Sequence, residues 1–160
     1  KHKMRQSFTD NALIRAETLA AEESPHRLVY QTKPLTKKVR LSGTPEVSIT
    51  ASIDKPVANL TALLVRYGED KTEIITRGWM DPQNWKGASK SSSLKVGKDY
   101  KFTWGMQPDD YVFQEGDRIG LVLLSSDHDY TIRPAAGTTI NIDTHKSHID
   151  LPLVFSGKGL

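Results

Sequence analysis

Three residue types that hydrolases combine for nucleophilic catalysis are adjacent in one short run of this chain. Residues 125–129 read Ser-Ser-Asp-His-Asp, which supplies a hydroxyl, a base and a carboxylate. A catalytic triad needs these groups to converge from separate segments, with the acid orienting the base. Because neighbours on a strand point to opposite faces, adjacency counts against a triad. We interpret the run as the end of a strand that leaves its sheet through a polar turn.

The nucleophile elbow of α/β-hydrolases is the second pattern with a chemical meaning. Its consensus, Gly-x-Ser-x-Gly, has its nearest match at residues 87–91, Gly-Ala-Ser-Lys-Ser, which lacks the closing glycine. The match lies among turn residues, whereas the elbow exposes its serine between a strand and a helix. The sequence therefore predicts no catalytic residue within this chain.

Two histidines with neighbouring carboxylates raise the question of a metal ion. His145 and His148 lie close to Asp143 and Asp150, but the residues around them alternate as in two strands joined by a turn. The sequence contains neither a His-Glu-x-x-His pattern nor the cysteine patterns of zinc proteins. We therefore predict neither a bound metal nor a cofactor.

The tryptophans fall into two groups. Trp104 alternates with Tyr100 and Phe102 along one predicted strand, which is typical of a core residue. Trp79 and Trp85 instead flank the turn-rich run Met-Asp-Pro-Gln-Asn. Loop tryptophans are enriched at protein interfaces. For these two, the sequence leaves core packing and an interface role open.

The composition indicates one soluble globular domain. The chain has 160 residues, of which 37% are hydrophobic and 26% charged, and it contains no cysteine. That length suits a single domain with a sizeable core. The absence of cysteine favours a reducing compartment, so we predict a cytoplasmic rather than a secreted protein. Because the first residue is Lys, we expect the chain to be a piece of a longer protein.

The charge distribution argues against two classes of partner. Residues 1–45 hold nine Lys/Arg against four Asp/Glu, within a formal net charge of +3. These basic residues are scattered and lack the interleaved aromatic residues that bind nucleic acid by stacking. No apolar run approaches the ~20 residues that span a bilayer. We predict no nucleic-acid partner and no membrane partner.

Most of the chain after Pro25 alternates apolar and polar residues with the period of two that is typical of half-buried strands. The candidate strands are residues 27–32, 38–41, 47–53, 60–67, 73–77, 100–106, 119–124, 138–143 and 149–155. Two of them, 60–67 and 119–124, are more continuously apolar, as in strands buried on both faces. Pro152 indicates an edge position for the last one. Eight to ten short strands between turns predict an all-β sandwich or jelly roll.

The first 25 residues differ from the rest. Residues 11–23 are rich in Ala, Leu and Glu, and they follow Thr9 and Asp10, either of which could cap a helix. Pro25 ends the segment. We predict a short helix or ordered linker over residues 1–25.

Seven blocks in order resemble one protein family. They are LVYQTKPL at 28–35, VRLSGTP at 39–45, ANLTALLV at 58–65, ITRGWMDPQN at 75–84, QPDDY at 107–111, GDRIGLVL at 116–123 and YTIRPAAGT at 130–138. The series resembles the C-terminal, non-catalytic domain of bacterial Xaa-Pro dipeptidyl-peptidases, in the wider group of cocaine-esterase-like serine hydrolases. The resemblance implies a jelly-roll sandwich of the galactose-binding-like type over residues 26–160. It also implies a parent serine peptidase that releases Xaa-Pro dipeptides.

The same resemblance places the catalytic serine, acid and histidine in a preceding α/β-hydrolase domain of the parent chain. It implies that residues 1–25 are a connector from that absent catalytic domain. We expect the sandwich to dock on that domain, to stabilise it and to help shape its active-site entrance. The candidate docking residues are Arg77, Trp79, Asp81, Asn84 and Trp85.

Other interpretations stay open. The docking candidates could form a self-contained turn, with Asp81 bonded to its own loop amides and Arg77 solvated on a strand. The sandwich could instead be a carbohydrate-binding module of a larger enzyme, because one fold hosts many functions. Exposure of Trp79 and Trp85 beside a shallow groove would favour the module. A homo-oligomer of the parent is also open.

Overall fold

The computed structural model describes residues 4–132 and 137–155, so residues 133–136 of the predicted block at 130–138 lie outside the described residues. A 3-10 turn occupies Pro82–Asn84. The remaining helices and strands of the described residues are β1 Arg5–Thr9, α1 Ala16–Ala21, β2 Leu28–Gln31, β3 Val39–Gly43, β4 Glu46–Ile53, β5 Leu60–Tyr67, β6 Thr72–Met80, β7 Tyr100–Gly105, β8 Asp109–Phe113, β9 Arg118–Leu124, β10 Thr139–Asp150 and β11 Leu153–Phe155.

The strands form three antiparallel sheets. Two four-stranded sheets, ordered β1-β10-β4-β7 and β2-β9-β5-β6, enclose the main core between them. A smaller sheet, β11-β3-β8, adds Leu41 and Phe113 to that core and has β11 at its edge, as Pro152 predicts. The predicted all-β sandwich is confirmed, while its galactose-binding-like type stays a prediction.

The two strands predicted to be buried on both faces are β5 and β9. One face of β5 carries Leu60 and Leu64 into the core between the sheets. The other face carries Leu63, which packs under α1 against Leu19, and both side chains are buried. The mostly apolar character of this strand therefore follows from a sheet that has a facing sheet on one side and a helix on the other.

The first 25 residues differ from the prediction in two respects. The strand β1 pairs with β10, so residues 5–9 belong to the sandwich rather than to a connector. The helix is shorter than predicted, and it begins after Arg15 without a side-chain cap. Asp10 does not cap it, because its carboxylate is buried and accepts hydrogen bonds from the backbone and hydroxyl of Ser126, at 3.0 and 2.7 Å.

The predicted strands at 138–143 and 149–155 are also corrected. Residues 139–150 form one strand whose register against β4 shifts between Asp143 and His148, where a turn was expected. The Ser147 hydroxyl sustains this bulge, because it donates to the Asp143 carbonyl at 2.7 Å and accepts from the Thr50 amide at 3.1 Å. Short hydroxyl side chains commonly replace backbone ladder bonds in this way.

Close contact between the edge strands β6 and β7 closes one flank of the sandwich. A Cβ atom on Gly78 would lie 2.4 Å from the carbonyl oxygen of Gly105, so only glycine permits this approach. Across the same contact, Trp104 donates its Nε1 hydrogen to the Gly78 carbonyl at 3.1 Å. Trp104 is buried, as predicted.

Candidate docking surface

The loops at one end of the sandwich converge, and we name this end the loop pole: residues 10–15, 54–59, 81–99 and 125–132. Strand register brings them together, because Leu60 pairs with Met80 and Thr61 with Leu124. Hydrogen bonds then join the loops, for example from Asn59 Nδ2 to the Ile132 carbonyl at 2.6 Å.

A buried ion pair lies beneath the loop pole. Arg77 donates through Nη1 to Asp127 Oδ2 at 2.8 Å, and the two side chains are only 13% and 1% exposed. Trp79 donates its Nε1 hydrogen to the same oxygen at 3.0 Å. Arg77 and Trp79 are two residues apart on β6 and so project from the same face. Burial alone would lower the pKa of Arg77, but the hydrogen bond and charge of Asp127 outweigh it and raise that pKa.

Tyr130 stacks over this ion pair from the loop after β9. Its ring centroid lies 4.7 Å from the Arg77 guanidinium and 5.3 Å from the Trp79 ring. Glu17 of α1 reaches Arg77 Nη2 at 3.5 Å. Arg77 is therefore an internal support for the loop pole, and the interpretation of a solvated Arg77 is wrong.

The turn after β6 carries the other candidate residues. Asp81 begins the 3-10 turn by accepting a hydrogen bond from the Gln83 amide at 2.9 Å, so its predicted bond to its own loop is confirmed. Trp85 follows and packs on Tyr100 with ring centroids 4.7 Å apart. Trp79, Asp81, Asn84 and Trp85 line one open groove of about 730 Å³.

Exposed apolar side chains gather at the loop pole. Of the nine large hydrophobic residues that are exposed in the described part of the chain, five lie there: Leu13, Val57, Val96, Tyr130 and Ile132. Leu13 is 76% and Ile132 88% exposed. Single exposed hydrophobics are ordinary, but a cluster of them marks an interaction surface. Sequence reasoning missed these residues, because they lie in separate loops and no local pattern shows that the loops meet.

The hydroxyls of the run 125–129 have structural partners. Ser125 Oγ donates to the Asn59 carbonyl at 2.7 Å, and Ser126 Oγ donates to Asp10. His128 Nδ1 lies 2.7 Å from Asp129 Oδ1, and this contact, followed by Arg15, lowers the pKa of Asp129. β9 ends at Leu124, so the run is the strand end that the sequence predicts.

The described residues offer neither a metal centre nor a membrane-spanning helix. They contain no group of three or more histidine, aspartate, glutamate or cysteine residues arranged to hold a metal ion. His145 and His148 lie instead on the bulged strand β10. No helix among the same residues is long and apolar enough to cross a membrane.

Solved structures of larger proteins contain a sandwich of the same fold. An α-amino acid ester hydrolase matches 94% of this chain with 32% of its own length, at a TM-score of 0.76 and 16% identity. An aminopeptidase from a marine sediment Thaumarchaeota archaeon matches 94% of this chain with 33% of its own length. Its TM-score is 0.75 and its sequence identity is 14%. At such identities the likeness shows the shared fold.

Sequence relatives are more specific. A "Putative Xaa-Pro dipeptidyl-peptidase" of Bacillus cereus is 55% identical over 151 residues, which cover 92% of this chain and 26% of that protein. A protein of the same name from Rhodopirellula baltica is 41% identical over 157 residues, which cover 93% of this chain and 25% of that protein. The chain thus spans about a quarter of these relatives. Residues 1–154 match the model of the X-Pro dipeptidyl-peptidase C-terminal non-catalytic domain, and the chain belongs to that family.

Proposed function

We propose that this domain docks through its loop pole on an α/β-hydrolase catalytic domain of the same parent chain. Docking stabilises the parent and places the loops beside the entrance of its active site. The parent is a serine peptidase that releases Xaa-Pro dipeptides, in keeping with the names of the relatives. The family is non-catalytic, so this domain acts through contact rather than through chemistry of its own.

The clustering of exposed apolar side chains at the loop pole carries this proposal. Burial of such side chains stabilises an interface by about 25 cal/mol per Å² of apolar surface removed from water. The buried Arg77–Asp127 pair holds the loops in place beforehand, and a preorganised surface loses less entropy on binding. The relatives are about four times as long as the matched region, which leaves room for the partner domain.

The test replaces Leu13 and Ile132 with Ser in the full-length parent, because these two side chains are the most exposed in the cluster. The matched control replaces Val112 and Val154, exposed on the smaller sheet, with Ser. We expect the Leu13→Ser/Ile132→Ser variant to lower the thermal midpoint of the parent and its hydrolysis of an Xaa-Pro-nitroanilide, while the control changes neither.

The 160-residue chain alone gives a second control. Side chains as exposed as Leu13 and Ile132 contribute little to a protein's own stability, so the Leu13→Ser/Ile132→Ser variant should unfold within about 0.5 kcal/mol of the unmodified chain. Equal behaviour of the two variants in the full-length parent would refute docking through the loop pole.

A carbohydrate-binding module is the second candidate. The groove lined by Trp79 and Trp85 favours it, since sugars stack on exposed indole rings. Against it, both rings are half-buried, with Trp79 stacked on Tyr130 and Trp85 on Tyr100. Isothermal titration of the chain with a panel of mono- and oligosaccharides distinguishes a docking domain from a carbohydrate-binding module. Only a carbohydrate-binding module would give a heat of binding with a sugar.

A further inference from the structure

An apolar cleft of about 320 Å³ enters the sandwich between its two large sheets, toward the end opposite the loop pole. One wall is the row Tyr30, Leu121 and Leu64, which are register partners across β2, β9 and β5. Ile142 and Ile149 of β10 form the other wall. The cleft is separate from the proposed docking surface and is argued independently of it.

The bulge in β10 explains why the core is incomplete here. Between Asp143 and His148, β10 uses five residue steps where its partner β4 uses two, from Thr50 to Ser48. Two residues of the bulge, Thr144 and Ser147, carry short hydroxyl side chains that bond to backbone instead of filling the space between the sheets. Thr144 Oγ1, for example, donates to the Met4 carbonyl at 3.0 Å. Voids of this size are uncommon in close-packed interiors.

The lining determines what chemistry the cleft accepts. Its described lining contains no lysine, arginine, aspartate or glutamate, and the imidazole of its histidine, His148, lies 3.6 Å from the carboxylate of Asp150. The hydroxyls at its mouth are already engaged, since Thr32 Oγ1 accepts from the Ile119 amide at 3.0 Å and Ser147 bonds within the bulge. A charged group would therefore lose its hydration without a partner, whereas an apolar ring gains contacts.

We propose that this cleft is a binding site for a neutral, compact apolar ligand of the size of a two-ring aromatic molecule. A closed apolar cavity of ~150 Å³ accommodates one benzene ring. The cleft has about twice that volume and falls at the lower end of the range of small-molecule sites, ~300–1,000 Å³.

The test titrates the 160-residue chain with 2-naphthol at pH 7 and follows methyl resonances by NMR. We expect saturable shifts of the Leu64, Leu121 and Ile149 methyl groups, and none for Leu63, which faces α1 instead. The charged analogue 2-naphthoate should bind at least about tenfold more weakly, since its carboxylate finds no counter-charge.

Two variants locate the site. Leu121→Trp fills the cleft and should abolish the shifts at the remaining methyl groups, whereas Val112→Trp, at an exposed position, should leave the affinity unchanged. Leu151→Trp fills the mouth and replaces Leu121→Trp if that variant does not fold. Absence of shifts in the unmodified chain, equal affinity for both naphthalenes, or retained affinity in a folded filled variant would overturn the proposal.

Discussion

Two arginine–aspartate pairs in this sandwich have the same chemistry and opposite surroundings. Arg77 and Asp127 meet at 2.8 Å beneath the loop pole, with side chains 13% and 1% exposed. Arg40 and Asp110 meet across the smaller sheet, with Arg40 Nε donating to Oδ1 at 2.8 Å and side chains 53% and 55% exposed. Distance does not distinguish the two pairs, whereas access to water does.

The difference shows which pair determines the shape of its surroundings. A solvated pair can separate and rehydrate at little cost, so it does not hold the strands it joins. A buried pair cannot, because each charge left alone would be desolvated without a partner. Asp127 also accepts the Trp79 indole hydrogen, so one carboxylate fixes two side chains of β6 at the loop pole.

The largest expected effect is the loss of the buried carboxylate. Asp127→Ala leaves the Arg77 guanidinium and the Trp79 indole without their shared acceptor. Breaking a buried pair from one side costs about 3–5 kcal/mol, and we expect that loss in urea unfolding of the chain. The matched variant, Asp110→Ala, should leave the unfolding midpoint unchanged.

Equal destabilisation by Asp127→Ala and Asp110→Ala would contradict the comparison. The NMR spectrum of the Trp79 indole N–H adds a local readout, because this hydrogen loses its acceptor when the Asp127 carboxylate is removed. We expect that spectrum to change in Asp127→Ala and to stay the same in Asp110→Ala.

A smaller effect is expected from the glycine between Arg77 and Trp79. In Gly78→Ala the new Cβ meets two backbone atoms, the Gly105 oxygen at 2.4 Å and Met106 Cα at 2.7 Å. Backbone cannot yield as a side chain can, so overpacking should cost about 1–3 kcal/mol and shift β6 away from β7.

The control for this variant is Gly105→Ala. Its Cβ would lie 3.2 Å from the Thr44 methyl group, which can rotate away, and at an ordinary contact distance of 3.9 Å from the Pro45 oxygen. If the two alanine variants unfold at the same urea concentration, the close contact of β6 and β7 does not hold the base of the loop pole.

Sequence reasoning succeeded where side-chain pattern and burial coincide. The strand at residues 60–67 was predictable because both of its faces are covered and most of its residues are therefore apolar. The strand β1 was missed because it buries only Phe8, so pairing rather than pattern makes it a strand. The bulge of β10 was interpreted as a turn, since no periodicity reveals that Ser147 replaces a ladder bond.

The candidate surface was predictable in part for the same reason. Arg77 and Trp79 alternate along one strand, so a shared face could be inferred from the sequence. Their common partner Asp127 lies about 50 positions further along the chain, and only the pairing of β5 with β6 and β9 brings it near. Conversely, the exposure of Leu13 and Ile132 depends on which loops meet at one end, which local sequence does not encode.

The smallest expected effect concerns the pH dependence of the exposed pair. The hydrogen bond from Arg40, and then its charge, lowers the pKa of Asp110 below its ordinary value of 3.8. Because the folded state holds this pKa lower, any stabilisation is present above the unfolded value and is lost as pH falls through the folded value. Solvent screening makes that contribution too small to resolve in unfolding at pH 7.

NMR titration of the Asp110 carboxyl carbon should nevertheless show a midpoint below 3.8. Arg40→Ala should return it to that ordinary value while the thermal midpoint stays constant, and a midpoint unmoved by Arg40→Ala would show that the two side chains are not paired in solution.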